Sequence, residues 1–367
     1  MPASSRKGTN GKMQAGVSLF SPGRSMTEQT ASRLSCAAQR SWQSKALLLC
    51  VLLCSMFGET RALAQTGAAA PSQLVFVAIA PQDITQAQAD LYERWRANIR
   101  ANQPVAYAAG REYLAQYPNN EYAAYVKKWV DDYERAARRL QFQKLLIKDK
   151  QFAAAFNAGK EVLADDPGNL KTLLGLAYAG YFAQTAGDSE MNAETRGYAI
   201  NALDQLDAGN QPSDWQPFKS REDALGYLHF IAGDLVLRDT PADALSSFLK
   251  ALQYDGSIKT YPVIYARLAG VYTINEYEPL AKDFAARYSG KEITPESQAA
   301  LDKIYGVVDK IIDAYARAVA LSGDEPQYTS VRSRWLEQLT GFYKTRHNNT
   351  TDGLDALLAG VTAKPLP

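Results

Sequence analysis

The chain has 367 residues, with 40 basic against 39 acidic side chains for a formal charge of +1, and an apolar share of 46%. That share is ordinary for a folded protein and excludes a chain disordered throughout. Beyond residue 64 the balance is 32 basic against 37 acidic groups, and a mildly acidic body without a basic stripe excludes a nucleic-acid partner held by phosphate contacts.

The positive surplus lies in residues 1–64, which carry eight Lys and Arg against Glu28 and Glu59. Arg33, Arg40 and Lys45 precede an apolar run at 46–58, and Arg61-Ala62-Leu63-Ala64 follows it. These are the charged, apolar and small-residue parts of a secretory signal. Cleavage is expected just after Ala64, giving a periplasmic or secreted protein, and the long polar stretch before Met26 puts the translation start at Met26 or Met13. The run falls short of the roughly 20 residues needed to cross a bilayer, so no transmembrane span is expected in the mature chain. Cys36, Cys50 and Cys54 all lie in this segment, which leaves the mature chain no thiol to mispair in an oxidising compartment. Leu53 stands where lipoprotein signals have a small residue, which argues against a lipid on Cys54.

Residues 65–84 are Ala-rich, with Pro71 and Pro81 around the short apolar stretch LVFVAIA, and read as a linker. From 85 onward the composition predicts an all-α protein: Ala, Leu, Gln, Arg, Lys and Glu dominate, broken at short intervals by Pro, Gly or Asn, without sustained strand alternation. Helix starts are expected at Thr240-Pro241-Ala242-Asp243, at Asn275 with Glu278, and at Thr294-Pro295. The segment 106–120 repeats at 154–169. Aligned on Pro118 and Pro167, it pairs Ala106 with Ala155, Ala109 with Ala158, Gly110 with Gly159, Glu112 with Glu161 and Leu114 with Leu163.

A further unit carries Leu228, Ile231, Ala232, Leu235, Ala244, Phe248 and Ala251. In this spacing the chain resembles the tetratricopeptide repeat (TPR) family, whose repeat positions 4, 7, 8, 11, 20, 24 and 27 these residues would fill. The resemblance implies antiparallel helix pairs in which small residues let the two helices approach and large ones fill the seams between neighbours. The next unit reads Tyr265, Leu268, Ala269 and Tyr272, with Ala281 in its second helix. In the unit before, Leu173, Leu176 and Ala177 fit, while Gly180 stands where a large residue is expected and the segment TAGDSEMNAET delays the second helix. The expectation is an irregular TPR-like α-solenoid over 85–290, closed by a C-terminal helical cap over 291–367 with helices near 295–321, 326–346 and 352–362. The C-terminal tail also resembles, more faintly, uncharacterised exported repeat proteins of bacteria.

Catalytic motifs are not found. His229 and His347 are the two histidines, in separate units, and phosphate loops, nucleophile elbows and zinc or EF-hand strings are missing from the sequence. Neither a metal nor a cofactor is expected, and the protein is read as a non-enzyme. Asp131-Asp132 and Asp165-Asp166 are read as solvated charge rather than a glycosidase pair. In the repeat register, Lys171, Leu174, Tyr178, Tyr181 and Phe182 fall on the groove-facing side of their helix, and His229 falls on the groove-facing fifth position of its unit, where a contact role and a packing role compete. The expected partner is a protein or peptide of the cell envelope gripped in a concave groove. The alternative is a carbohydrate or cell-wall ligand stacked on groove aromatics.

Overall fold

The structure, a computed structural model, describes residues 81–367. The signal segment, its cleavage site, the cysteines and the LVFVAIA stretch lie outside the described residues. The described helices belong to one compact unit, Ile79–Pro367. They are α1 (Pro81–Asn98), α2 (Gln103–Gln116), α3 (Ala123–Gln143), α4 (Phe152–Asp165), α5 (Leu170–Thr185), α6 (Asn192–Asp207), α7 (Arg221–Asp234), α8 (Pro241–Ala251), α9 (Pro262–Tyr272), α10 (Glu278–Tyr288), α11 (Pro295–Ser322), α12 (Thr329–Arg346) and α13 (Leu354–Gly360). Among the described residues there is no strand. Helix α1 starts at Pro81, inside the stretch expected as linker. Helices pack chiefly on their neighbours in sequence, α1 on α2, α3 on α4, α5 on α6, α7 on α8 and α11 on α12. This is an all-α, solenoid-like stack of consecutive pairs.

The internal repetition has a structural counterpart. Gly110 of α2 sits so close to its neighbours that a Cβ there would lie 2.9 Å from Val130 of α3 and 3.1 Å from Trp95 of α1. Its equivalent, Gly159 of α4, would meet Leu176 of α5 and Phe142 of α3, both at 2.8 Å. Each glycine thus lets its helix nest between the preceding and the following one, and the large side chains that close over it, Trp95 and Phe142, are both buried. Ala106 and Ala155 are fully buried in the same two helices.

The unit of Leu228 to Ala251 follows the same logic. Leu228, Ile231, Ala244, Phe248 and Ala251 are all 0% exposed, and they belong to a core that runs from α5 to the C-terminal helices. Smaller clusters hold α1 to α3 together and join α3, α4 and α5. The C-terminal helices fall close to their expected places, and α11 begins with a reciprocal capping box between Thr294 and Ser297.

One expected cap and one expected helix start need correction. Thr240 precedes α8, with Pro241 at the first helical position, but its side chain makes no capping hydrogen bond. Asn275 and Glu278 do not open a new helix at all. Backbone angles stay helical from α9 through a π turn, Thr273–Tyr277, into α10. Pro279 explains this turn, because it has no N–H to give and its ring crowds the carbonyl four residues back; the wider π turn accommodates both without breaking the helix. The run over 262–288 therefore packs as one long element against the 28-residue α11, where the repeat register predicted a hairpin between α9 and α10.

Candidate functional site

The feature of greatest chemical interest is a cavity of about 340 Å³ lined by Tyr178, Pro217, Phe218, Lys219, Asp223, Tyr227, Ser257, Thr260 and Tyr261. These residues come from α5, the segment before α7, α7 itself, the short 3-10 turn Ser257–Thr260 and the residue that follows it. The floor is Asp223, 3% exposed. One carboxylate oxygen accepts from the Ser257 N–H at 2.7 Å and the Ser257 hydroxyl at 2.6 Å, and the other from the Lys219 N–H at 3.0 Å. Asp223 lies in the first turn of α7, where the helix dipole favours negative charge, and Ser220 caps that turn by accepting from the Asp223 N–H. The carboxylate therefore pins two separate loops to one helix start. Asp223→Ala would leave three donors without an acceptor and is expected to cost about 2 kcal/mol, read as a lower urea midpoint with an unchanged slope.

The walls are aromatic. Tyr178 meets Phe218 with ring centroids 5.8 Å apart, Phe218 stacks on Tyr227 at 5.7 Å, and Tyr227 meets Tyr261 at 6.1 Å. The row continues on the other side through Phe182, 4.4 Å from Tyr178, to Phe152. Tyr178, Tyr227, Tyr261 and Phe182 are half-buried, whereas Phe218 is buried. Burial pushes the phenols of Tyr178, Tyr227 and Tyr261 above their ordinary value, so all three stay protonated through the neutral range.

Of the residues singled out from sequence, Tyr178 and Phe182 form part of this row. Lys171, on the same side of α5, is ion-paired with Asp214. Leu174 is 0% exposed and belongs to the core rather than to a groove. Tyr181 is not on an open surface either: it is 1% exposed and packs edge-on against Phe230 at 5.3 Å. Its hydroxyl lies beside Tyr261 and the Asp234 carboxylate, and burial raises its pKa well above the ordinary value. Asp234, whose side chain is 4% exposed, pairs with Arg267 at 2.7 Å, a close ion pair poorly aligned for a hydrogen bond. Burial still pushes the Asp234 carboxyl upward against the pull of Arg267. Tyr181 thus backs the cavity wall from behind.

His229 sits elsewhere. Residues two apart on a helix point about 200° from each other, so with Tyr227 facing the cavity His229 faces the other way. There it is 8% exposed and stacks on Tyr254 with ring planes 7° apart. Burial, reinforced by Lys250, pulls the imidazole down from 6.5 to about 4, and its Nε2 has no hydrogen-bond partner. A depressed histidine pKa means that the unfolded chain takes up a proton first. The stability attributable to His229 should therefore be level above pH 6.5, fall as pH drops below it, and level off again below about 4. His229→Gln should remove about 2 kcal/mol of the acid-induced loss between roughly pH 7 and pH 4.5, measured as the difference between wild-type and variant urea curves at the two pH values.

The paired acids form surface ion pairs. Asp131 bonds Lys127, Asp132 bonds Lys128 and Arg135, and Asp165 bonds Arg138. Among the described residues no cluster of His, Cys, Asp or Glu is placed to hold a metal, and no helix is long and apolar enough to cross a membrane.

Phe218, Asp223, Tyr227, Ser257 and Tyr261 were not picked out from the sequence. Ser220-Arg221-Glu222-Asp223 does carry the form of a helix N-terminus, but nothing local ties it to residue 257. A second aromatic row was equally unforeseen. Tyr122, Tyr125, Trp129 and Tyr133 recur at helical spacing along α3 and its entry, with Tyr125 60% exposed, Tyr122 45% exposed, and Trp129 stacked on Tyr133 at 5.5 Å.

The fold and this cavity define an all-α protein of consecutive helix pairs with an aromatic-walled hollow. No family model, curated protein or solved structure matches the chain.

Proposed function

We propose that the protein is an exported, TPR-like interaction scaffold, working in the periplasm or outside the cell, that holds a segment of another envelope protein against the aromatic row. The observation that carries this reading is the composition of the cavity: three half-buried tyrosines and a buried phenylalanine, around one carboxylate already committed to three hydrogen bonds. Rigid aromatic anchors of this kind supply contact area at low entropic cost and dominate protein interfaces. A carboxylate so committed is suited to fixing shape rather than to shuttling protons, which favours binding over catalysis.

The chain fixed to a support and exposed to an envelope extract should retain a defined protein, and Tyr178→Leu with Tyr227→Leu should reduce that retention about tenfold. Both sites are half-buried, so the fold is expected to survive, which circular dichroism would verify. Retention unchanged in the double variant would overturn the assignment of this site.

A second reading, a glycan or cell-wall binder, is favoured by the row on α3, since exposed rings at helical spacing suit stacking against sugar faces. Polysaccharide titration followed by intrinsic fluorescence separates the two, because only the glycan reading predicts a signal abolished by Tyr125→Ala.

A further inference from the structure

We infer that the cavity over Asp223 is an aromatic cage for a cation, and that the group it takes is a lysine or arginine side chain projecting from the bound protein segment. The inference rests on the scaffold reading and names the chemistry by which its partner would be recognised.

The walls provide the first argument. Tyr178, Phe218, Tyr227 and Tyr261 all line an open hollow of about 340 Å³, with Phe218 stacked on Tyr227 at 5.7 Å and edge-on to Tyr178 at 5.8 Å, and Tyr261 tilted against Tyr227 at 6.1 Å. The face of each ring carries negative electrostatic potential, and several rings around one hollow are the arrangement that receives an ammonium or guanidinium.

The floor provides the second. Asp223 is a buried carboxylate whose three donors, two backbone N–H groups and a hydroxyl, are all neutral. Neutral donors hold the carboxylate in place without neutralising it, so a cation entering the cage meets the rings and the Asp223 carboxylate, against the opposing charge of Lys219 at the rim and the positive end of the helix. Asp234 makes the contrast: that buried acid has its own Arg267 at 2.7 Å.

The rim supplies the remaining contacts, with the hydroxyls of Ser257 and Thr260 as acceptors for the outward N–H groups of an entering cation. Lys219 also lines the rim. Its backbone N–H serves Asp223, while the residue is exposed, and its charge opposes an incoming cation. Lys219→Met should therefore strengthen binding.

The test is a calorimetric titration of the chain with blocked tripeptides, acetyl-Gly-Lys-Gly-amide and acetyl-Gly-Arg-Gly-amide against the norleucine analogue, and with tetramethylammonium. Expected are binding of the cationic peptides and of tetramethylammonium, about tenfold weaker binding of the norleucine peptide, a similar loss in Tyr227→Leu, and little change in Tyr227→Phe, which keeps the π face. Equal binding of norleucine and lysine peptides, or binding unchanged in Tyr227→Leu, would overturn the cage. So would binding lost equally in Tyr227→Phe, since that would make the hydroxyl rather than the ring face decisive. The scaffold reading fails separately: cationic peptides that bind while envelope extract yields no partner would sink it and leave the cage standing. A captured partner that excess tetramethylammonium does not release would do the reverse.

Discussion

Phe230→Ala should lower the stability of the protein by about 3–5 kcal/mol, the largest loss expected of any single truncation near the cavity. Phe230 is 0% exposed on α7, and its ring touches Tyr181 of α5, Phe248 of α8 and Tyr261 ahead of α9. Four segments therefore meet at one side chain, and none can close over the void without drawing the others with it. The cost should contain a cavity contribution as well as the lost transfer free energy of the ring. Tyr261 would also lose the support behind its cavity face, so any residual folded protein should bind poorly. Phe182→Ala is the control: that ring is half-buried, so the loss should be about 1 kcal/mol. Urea unfolding of the two variants gives the comparison, and similar losses in both would contradict the role assigned to Phe230.

Gly180→Leu should cost about 3 kcal/mol, even though glycine is ordinarily a poor helix residue and its replacement a gain. A Cβ at Gly180 would collide with the Thr195 hydroxyl and fall 2.9 Å from the Phe156 ring. Thr195 is held in place, because it is fully buried and its hydroxyl donates to the Met191 carbonyl at 2.7 Å. Even Gly180→Ala should destabilise, against a helical preference worth about 1 kcal/mol in the other direction. Combining Gly180→Ala with Thr195→Ala removes the blocking oxygen and should restore most of the loss, a coupling that a double-mutant cycle reads directly. Additive effects would mean that the two side chains do not meet.

The same glycine marks what the sequence could and could not disclose. Helix starts are legible where proline marks them, at Pro241 and Pro295, and so is the duplicated close approach at Gly110 and Gly159. At Gly180 the repeat register asks for a large residue, and only the structure reveals that α6 occupies that space. Asn275 with Glu278 misleads in the opposite sense: the pair reads as a helix start, yet a π turn ahead of Pro279 carries a continuing helix through it. Part of the aromatic row is visible on α5, because Lys171, Tyr178 and Phe182 recur within about 40° of one another around its axis. Tyr181 lies about 60° beyond Tyr178 on that circle, and the rotation carries it into the core against Phe230. The rest of the cavity is assembled from residues 217–227 and 257–261, whose meeting depends on the Asp223 hydrogen bonds and leaves no periodic trace in the sequence.

Whether this hollow is the place where a partner is held can be measured directly by photo-crosslinking in the native cell. A photoreactive side chain is placed at Lys219 on the cavity rim and, in a second variant, at the exposed Lys282 of α10. A discrete protein adduct from position 219, diminished by Tyr227→Leu and missing from position 282, is the predicted result. Adducts from 282 but not 219, or equal capture at both, would contradict it.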